Sequence, residues 1–407
     1  MKSRMDITRW SLPHVARGDK VTRMSPETRV PAVALSVTAG LLLLLTSVDA
    51  QEVRRHRPVP DIPGYVTLKA DFHLHSVFSD GEVWPTVHVR DAWRDGLDAV
   101  SLTEHLEYRP HKADLAGGAW RAFEVARSLA ARLGMLLVPG VEITRPVPGV
   151  TSEWPVGSAH FNVLFPTDVA ALDTPDLAEA LSRAKAQGAF VFWNHPGFMD
   201  KPAVWFPHVG ALFQAGLFSG IEVVNGDRFY PEALRWAAER SLTPLACSDA
   251  HLPMPAHLKS AQRPITLVFA RTRDLDGLKE ALVARRTLAW LDRQVWGDAT
   301  LLTALWGASV VAEPAHATAG ADVGIAIRNT SAIDLDVRDF ETPPWLTLPD
   351  AMLVRESTTV VSARVARDAP AGSHAIDARL DVHNLQAEGD RPLKASLPVS
   401  VTVLSRP

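Results

Sequence analysis

The residues of this chain that could do chemistry fall in short clusters spread over its middle. The first is Asp71-Phe72-His73-Leu74-His75. Residues two apart on an extended strand point to one face, so both imidazoles can reach a single ion. Asp80-Gly81 follows in a turn and brings a carboxylate close by. Comparable clusters recur at Thr103-Glu104-His105, Pro139-Gly140-Val141-Glu142, Ala159-His160-Phe161-Asn162, Asn194-His195-Pro196 and Ser248-Asp249-Ala250-His251. A single strand-end histidine is usually a hydrogen-bonded core or surface residue, and a single carboxylate there is usually a helix cap. Recurrence at equivalent strand ends describes one site, with the nitrogen and oxygen donors that suit Zn²⁺, Mn²⁺ or Fe²⁺. His160 stands apart because it precedes its expected strand, and on the residues alone its membership stays open.

Such clusters need a scaffold that gathers strand ends. From about Val66 to Ala270, short apolar runs alternate with helix-period segments. The predicted strands are Val66–Phe72, Ala99–Thr103, Met135–Val138, Phe161–Phe165, Phe190–Trp193, Ile221–Val224 and Pro244–Ala246. Predicted helices include Trp84–Asp95, Trp120–Leu133, Asp176–Gln187 and Pro231–Arg240. Gly96, Gly134 and Gly188 stand where helices stop, and Thr174 before Pro175 where one starts. This alternation implies parallel strands joined by crossover helices. About seven such units suit a closed or distorted barrel better than a small doubly wound sheet, and the C-terminal strand edge of a barrel is where such enzymes place function. After Gly297 the texture changes. Alternating runs at Val323–Ile327, Thr358–Val365, Ala375–Val382 and Ala395–Val403, with turns at Asn329-Thr330-Ser331 and Gly389-Asp390, predict a C-terminal all-β sandwich. The expected layout is a leader over 1–50, a charged, Pro-rich tether over 51–64, the barrel over 65–297 and the sandwich over 298–407.

The 407 residues, 47% hydrophobic and 22% charged, have room for two cores. A net charge of −4 lacks the basic field of a nucleic-acid or anionic-membrane binder. A phosphate substrate stays compatible, because bound ions supply local positive charge. Cys247 is the single cysteine, which excludes an intramolecular disulfide framework and a Cys-rich zinc site. An apolar run from Val30 to Val48 follows Arg17, Lys20, Arg23 and Arg29, and ends in Val48-Asp49-Ala50 before Gln51. That is the pattern of an export signal, and a start at Met24 would shorten its long leader. Cleavage after Ala50 predicts a secreted or periplasmic chain. A retained anchor of about 18 residues would just span a bilayer.

Taken together, Asp71-Phe72-His73-Leu74-His75, Thr103-Glu104-His105, Pro139-Gly140-Val141-Glu142, Asn194-His195-Pro196 and Ser248-Asp249-Ala250-His251 resemble the PHP (polymerase and histidinol phosphatase) superfamily. Longer runs resemble a secreted phosphodiesterase branch of it. These are Ser79-Asp80-Gly81 with Trp84-Pro85-Thr86, Glu107-Tyr108-Arg109-Pro110-His111-Lys112, Phe190-Val191-Phe192-Trp193, Arg263-Pro264-Ile265-Thr266-Leu267-Val268-Phe269-Ala270 and Ala284-Arg285-Arg286-Thr287. One departure is Glu104, where the superfamily commonly has Asp; with His105 as the expected ligand, Glu104 is expected to support rather than bind.

The resemblance implies an α/β fold, a distorted (β/α)7 barrel, and three divalent ions (Mn, Zn or Fe). The first ion would be held by His73, His75, Glu142 and Asp249. Glu142 would bridge to a second on His160 and His195, and the third would take Asp80, His105 and His251. A water shared between ions becomes the nucleophile near neutral pH, so no side-chain nucleophile is required, and neither a GxSxG nor a P-loop pattern is present. Arg109 and Lys112 are candidates to hold the phosphoryl group, and His111 to protonate the leaving alkoxide. Asn194 and Asn225 are candidates to orient water or substrate, and Trp84, Trp193, Trp205 and Phe206 to wall a pocket for an organic ester. The expected partner is a small-molecule phosphoester, with phosphodiesters the leading class and no nucleic acid indicated. The alternatives are a phosphomonoesterase on the same site and a non-catalytic metal-dependent binding module.

Overall fold

Strand β1 (Val66–Asp71) buries Leu68 and Ala70 completely and pairs in parallel with β2 (Ala99–Ser101), which pairs in parallel with β3 (Leu136–Val138). Helices α1 (Pro85–Arg94) and α2 (Trp120–Arg132) make the two crossovers. The computed structural model describes residues 53–146, 158–197, 202–254, 262–387 and 391–404. The export signal, with Met24 and the Ala50–Gln51 junction, lies outside them, as does the Gly389-Asp390 turn. Among the described residues no helix is long and apolar enough to cross a membrane.

The second half of the barrel departs from simple repetition. Strands β4 (Gly140–Pro146), β5 (Ser158–Leu164) and β6 (Phe190–Trp193) pair antiparallel, with α3 (Leu177–Ala186) leading into β6. Parallel pairing resumes from β6 to β7 (Gly220–Asn225), which folds back on a short β8 (Arg228–Phe229), and to β9 (Thr243–Cys247). Helices α4 (Pro207–Gln214) and α5 (Pro231–Arg240) connect them. Strand β10 (Ile265–Ala270) then lies antiparallel to β1, and after α6 (Leu275–Val283) come β11 (Thr287–Leu291) and β12 (Gln294–Gly297), each antiparallel to the last. Two parallel bridges, Leu74↔Ala250 and His105↔Glu142, join the sheets beside the chemical clusters.

These pairings correct several expectations. Glu142 does not end the third strand; it sits in β4, which begins immediately after β3. A Cβ on Gly140 would stand 2.2 Å from Ser101 Oγ, so that passage requires glycine. His160 lies inside β5, not before it. Because β5 runs against its neighbours, its N-terminal half reaches the edge where the other strands end, and His160 pairs with Thr144. Asp176, not Thr174, caps α3, its carboxylate accepting from Glu179 N. Gly96, Gly134 and Gly188 do end helices, at φ 86°, 66° and 69°.

The segment expected to be a tether is docked. Arg55 N donates to Arg94 O at 2.7 Å, Ala332 N donates to Pro58 O at 2.6 Å, and Val59 and Ile62 are buried. Burying those two side chains returns about 1.5–3 kcal/mol each, which offsets the ordering of the strap.

The C-terminal region begins with a helix that alternation did not foretell, α7 (Ala299–Ser309). Asp298 caps it by accepting from Thr300 N and Leu301 N, and Leu302, Leu305 and Trp306 are buried. The sandwich follows as β13 (Val310–Ala312), β14 (Ala315–Thr318), β15 (Asp322–Asn329), β16 (Leu335–Glu341), β17 (Leu346–Thr347), β18 (Ala351–Leu353), β19 (Ser357–Val365), β20 (Gly372–Ala387) and β21 (Arg391–Leu404). The layer β13-β15-β19-β17 shares one apolar core with the layer β14-β21-β20-β16-β18. Strand β20 also pairs in parallel with β12, so this second layer continues the barrel's sheet.

Candidate metal centre

All nine histidines and carboxylates expected as ligands meet at one mouth of the barrel. His73 Nε2 lies 3.0 Å from His75 Nε2, 2.9 Å from Glu142 Oε2 and 3.2 Å from Asp249 Oδ1. His75 Nε2 is 3.1 Å from Glu142 Oε2 and 3.2 Å from Asp249 Oδ1. On one flank, His160 Nδ1 stands 2.7 Å from Glu142 Oε1, and the His160 and His195 rings are 4.9 Å apart. On the other, the Asp80 carboxylate lies 3.5 Å from His105 Nε2, 3.3 Å from His251 Nε2 and 3.6 Å from His75 Nδ1.

In four of the histidines the second ring nitrogen finds an oxygen. His73 Nδ1 donates to Glu222 at 2.7 Å, His75 Nδ1 to Ser79 Oγ at 3.2 Å, His105 Nδ1 to Thr144 Oγ1 at 3.0 Å and His251 Nδ1 to the Asp249 carbonyl at 2.7 Å. The Ser79 hydroxyl in turn donates to Glu104 at 2.5 Å, and that of Thr144 to Glu142 at 3.2 Å. Each of these four imidazoles is thereby set with Nδ1 protonated and the Nε2 lone pair facing inward. Lone pairs and carboxylate oxygens crowded at 2.9–3.2 Å repel one another, and a cation among them reverses the sign. Tetrahedral donors about 2.1 Å from an ion stand about 3.4 Å from each other, close to these separations. The donor set fits divalent ions.

Proton affinities agree. Burial lowers His75, but hydrogen bonds to Asp249 and Glu142 outweigh it and raise the ring to about 10, so that a proton occupies the ion's place when no ion is bound. Against burial, the His105 and His73 imidazoles hold Glu142 well below the usual carboxylate range. Burial, helped by His160, lowers His195 to about 3, leaving a neutral ring ready to coordinate.

Comparison with solved structures identifies the family. A two-domain protein from Bacteroides vulgatus, described as containing a predicted PHP-like metal-dependent phosphoesterase, is 38% identical. The match covers 85% of this chain and 98% of that one, with a TM-score of 0.76. The chain belongs to the PHP-like metal-dependent phosphoesterases. An amidohydrolase from Chromobacterium violaceum matches at 19% identity over 45% of this chain and 88% of that one, with a TM-score of 0.36. A lesion-specific endonuclease from Pyrococcus furiosus matches at 16% over 57% and 59%, with a TM-score of 0.38. Overlap at those two levels supports no inference. No protein-family model and no curated protein matches the sequence.

Buried polar residues hold these histidines and carboxylates in place. Asp71 accepts from Ser248 N at 3.0 Å, Ser248 Oγ at 2.6 Å and Arg263 at 3.2 Å, and Arg263 also donates to Asp95 at 2.9 Å. These bonds pin the end of β1 to the end of β9. Glu104 accepts from Ser76 and Ser79, so it steadies the loop that carries Asp80. His195 and Asp249 have φ of 26° and 53°; such conformations cost non-glycine residues about 1–3 kcal/mol and collect at functional sites. The sequence reading passes over Glu222, a fully buried carboxylate in β7. Its one signal is a charge inside the apolar run Ile221-Glu222-Val223-Val224.

The other candidates are less drawn together. Arg109 donates to Gly117 O at 3.0 Å within its own loop. His111 and Lys112 are exposed, and among the described residues no hydrogen bond or ion pair joins them to the cluster. Asn194 is buried, its Oδ1 accepting from Asn162 N at 3.1 Å, while Asn225 donates to Glu222 at 2.9 Å and reaches Asp249 at 3.4 Å. Trp193 is no pocket wall: it is 4% exposed and packs on Trp205 and Trp236. Trp84 and Phe206 are exposed, as is Tyr108, whose ring lies 6.4 Å from that of His105.

Proposed function

We propose that this phosphoesterase hydrolyses phosphodiesters of small organic molecules at a centre of three divalent ions, and does so outside the cytoplasm. The observation that carries the three-ion reading is the division of the donors into flanks around His75, which faces Glu142 and Asp249 with Nε2 and Asp80 with Nδ1. One ion is assigned to His73, His75, Glu142 and Asp249, a second to Glu142, His160 and His195, and a third to Asp80, His105 and His251. Mn²⁺, Zn²⁺ or Fe²⁺ bound there would supply Lewis acidity and bring the pKa of water near neutrality.

The chain's own residues do the rest. The Nδ1 hydrogen bonds hold the imidazoles in register, so no reorganisation accompanies the charge change at phosphorus. Arg109 exchanges Gly117 O for a phosphoryl oxygen, with Lys112 as a second cation, and His111 gives its proton to the departing alkoxide. Asn194 and Asn225 orient the substrate. Preference for diesters is supported by the likeness of Glu107 through Lys112 and of the strand runs to the phosphodiesterase branch.

The test is the rate on a diester and on a monoester that share one chromogenic leaving group, measured with metal-replete enzyme. A faster diester reaction is expected, and a dominant monoester reaction overturns the choice. Export predicts a mature chain starting at Gln51, which N-terminal sequencing of the processed protein checks.

A further inference from the structure

We propose that Glu222 is a positioning residue that sets His73 and His195 together, coupling ligands of two different ions through one carboxylate; this rests on the ligand assignment above. Glu222 is 0% exposed in the middle of β7. Its Oε1 accepts from His73 Nδ1 at 2.7 Å, and its Oε2 accepts from His195 N at 2.6 Å and from Asn225 Nδ2 at 2.9 Å. Three donors converge on one side chain, so only a group that accepts through both oxygens satisfies all of them.

The two ligand contacts act differently. The bond to His73 fixes the tautomer, keeping the Nε2 lone pair among His75, Glu142 and Asp249. The bond to His195 reaches the backbone of a residue at φ 26° and holds the turn that aims its ring toward His160. Glutamine at 222 has nearly the same shape but must present an NH₂ to one set of donors. Facing His73, it drives the ring to the other tautomer, with a hydrogen where the lone pair belongs. Facing His195 and Asn225, it opposes two N–H groups and releases the turn.

The experiment is a chelator-competition titration of Mn²⁺ and, separately, Zn²⁺ into ion-stripped wild type, E222Q and E222D, with circular dichroism and thermal melting of each ion-free chain. E222Q is expected to bind on the order of 10–100-fold more weakly, and its hydrolytic activity to return as metal is raised. E222D keeps both oxygens one methylene short of the donors and is expected to fall between. If E222Q does not fold, the E222D titration decides. A folded variant with wild-type affinity overturns the proposal, as does a lowered ion-free melting temperature with affinity unchanged, the mark of a merely structural role. A wild-type chain that takes up no ion overturns this proposal and the ligand assignment together.

Discussion

The barrel mouth and the sandwich bury opposite kinds of residue by opposite means. In the sandwich, β15 alternates Val323, Ile325 and Ile327 inward with Asp322, Gly324 and Arg328 outward, and its stability follows from apolar area. At the mouth the buried residues include His73, His75, Glu104, Glu142 and Glu222, and burial of these five is tolerated because hydrogen bonds and opposed charges pair their polar atoms. The two regions should therefore fail differently. Damage to the sandwich shows as lost stability, and damage at the mouth as lost ions and lost turnover.

Glu142→Ala breaks the comparison most severely, since in the proposed assignment it removes a donor shared between two ion positions. It is expected to abolish activity in metal-replete enzyme while leaving the circular dichroism spectrum intact. Retention of more than about a tenth of wild-type activity, a barrier change under ~1.4 kcal/mol, contradicts a bridging role.

Arg263→Ala lies where the two regimes meet, because it strips the cation from buried Asp71 beneath the site. The expected loss is about 3–5 kcal/mol in urea unfolding. A loss below about 1 kcal/mol would show that Ser248 alone satisfies Asp71.

Ion uptake sharpens the contrast through protons. In the ion-free chain His75 titrates at about 10, so at pH 8 an entering ion must displace its proton. Apparent affinity should weaken as pH falls, by up to about tenfold per unit for each proton released. Uptake into weak buffer without acidification contradicts this.

The smallest effect belongs to Ile325→Val in the sandwich, about 0.5–1.5 kcal/mol of stability with kcat unchanged. A shift in kcat would mean that the β12–β20 pairing carries strain from one region to the other.

Much of this contrast was legible from residue order, because periodicity and donor type are local properties. Strand ends holding His73, His75, His105, His195, Asp249 and His251 could be recognised one at a time, and period-2 alternation marked β15, β19, β20 and β21 without knowledge of their partners. The helix α7 was missed because a Leu-rich segment buried against neighbours carries little alternation to read. The docked strap was missed because its charge and prolines outweighed Val59 and Ile62, whose burial depends on surfaces far along the chain.

By itself the sequence determined which side chains can coordinate, where most of the strands of the barrel's first half and of the sandwich lie, and that one region is barrel-like and the other a sandwich. Tertiary structure decided strand direction, and with it that His160 in antiparallel β5 shares an edge with the rest. It also decided the role of Glu222, whose hydrogen bond to His73 spans 149 residues. The physical reason is range: propensity and ligand chemistry act within a few residues, whereas pairing direction and the sharing of a buried carboxylate exist only once distant segments have packed.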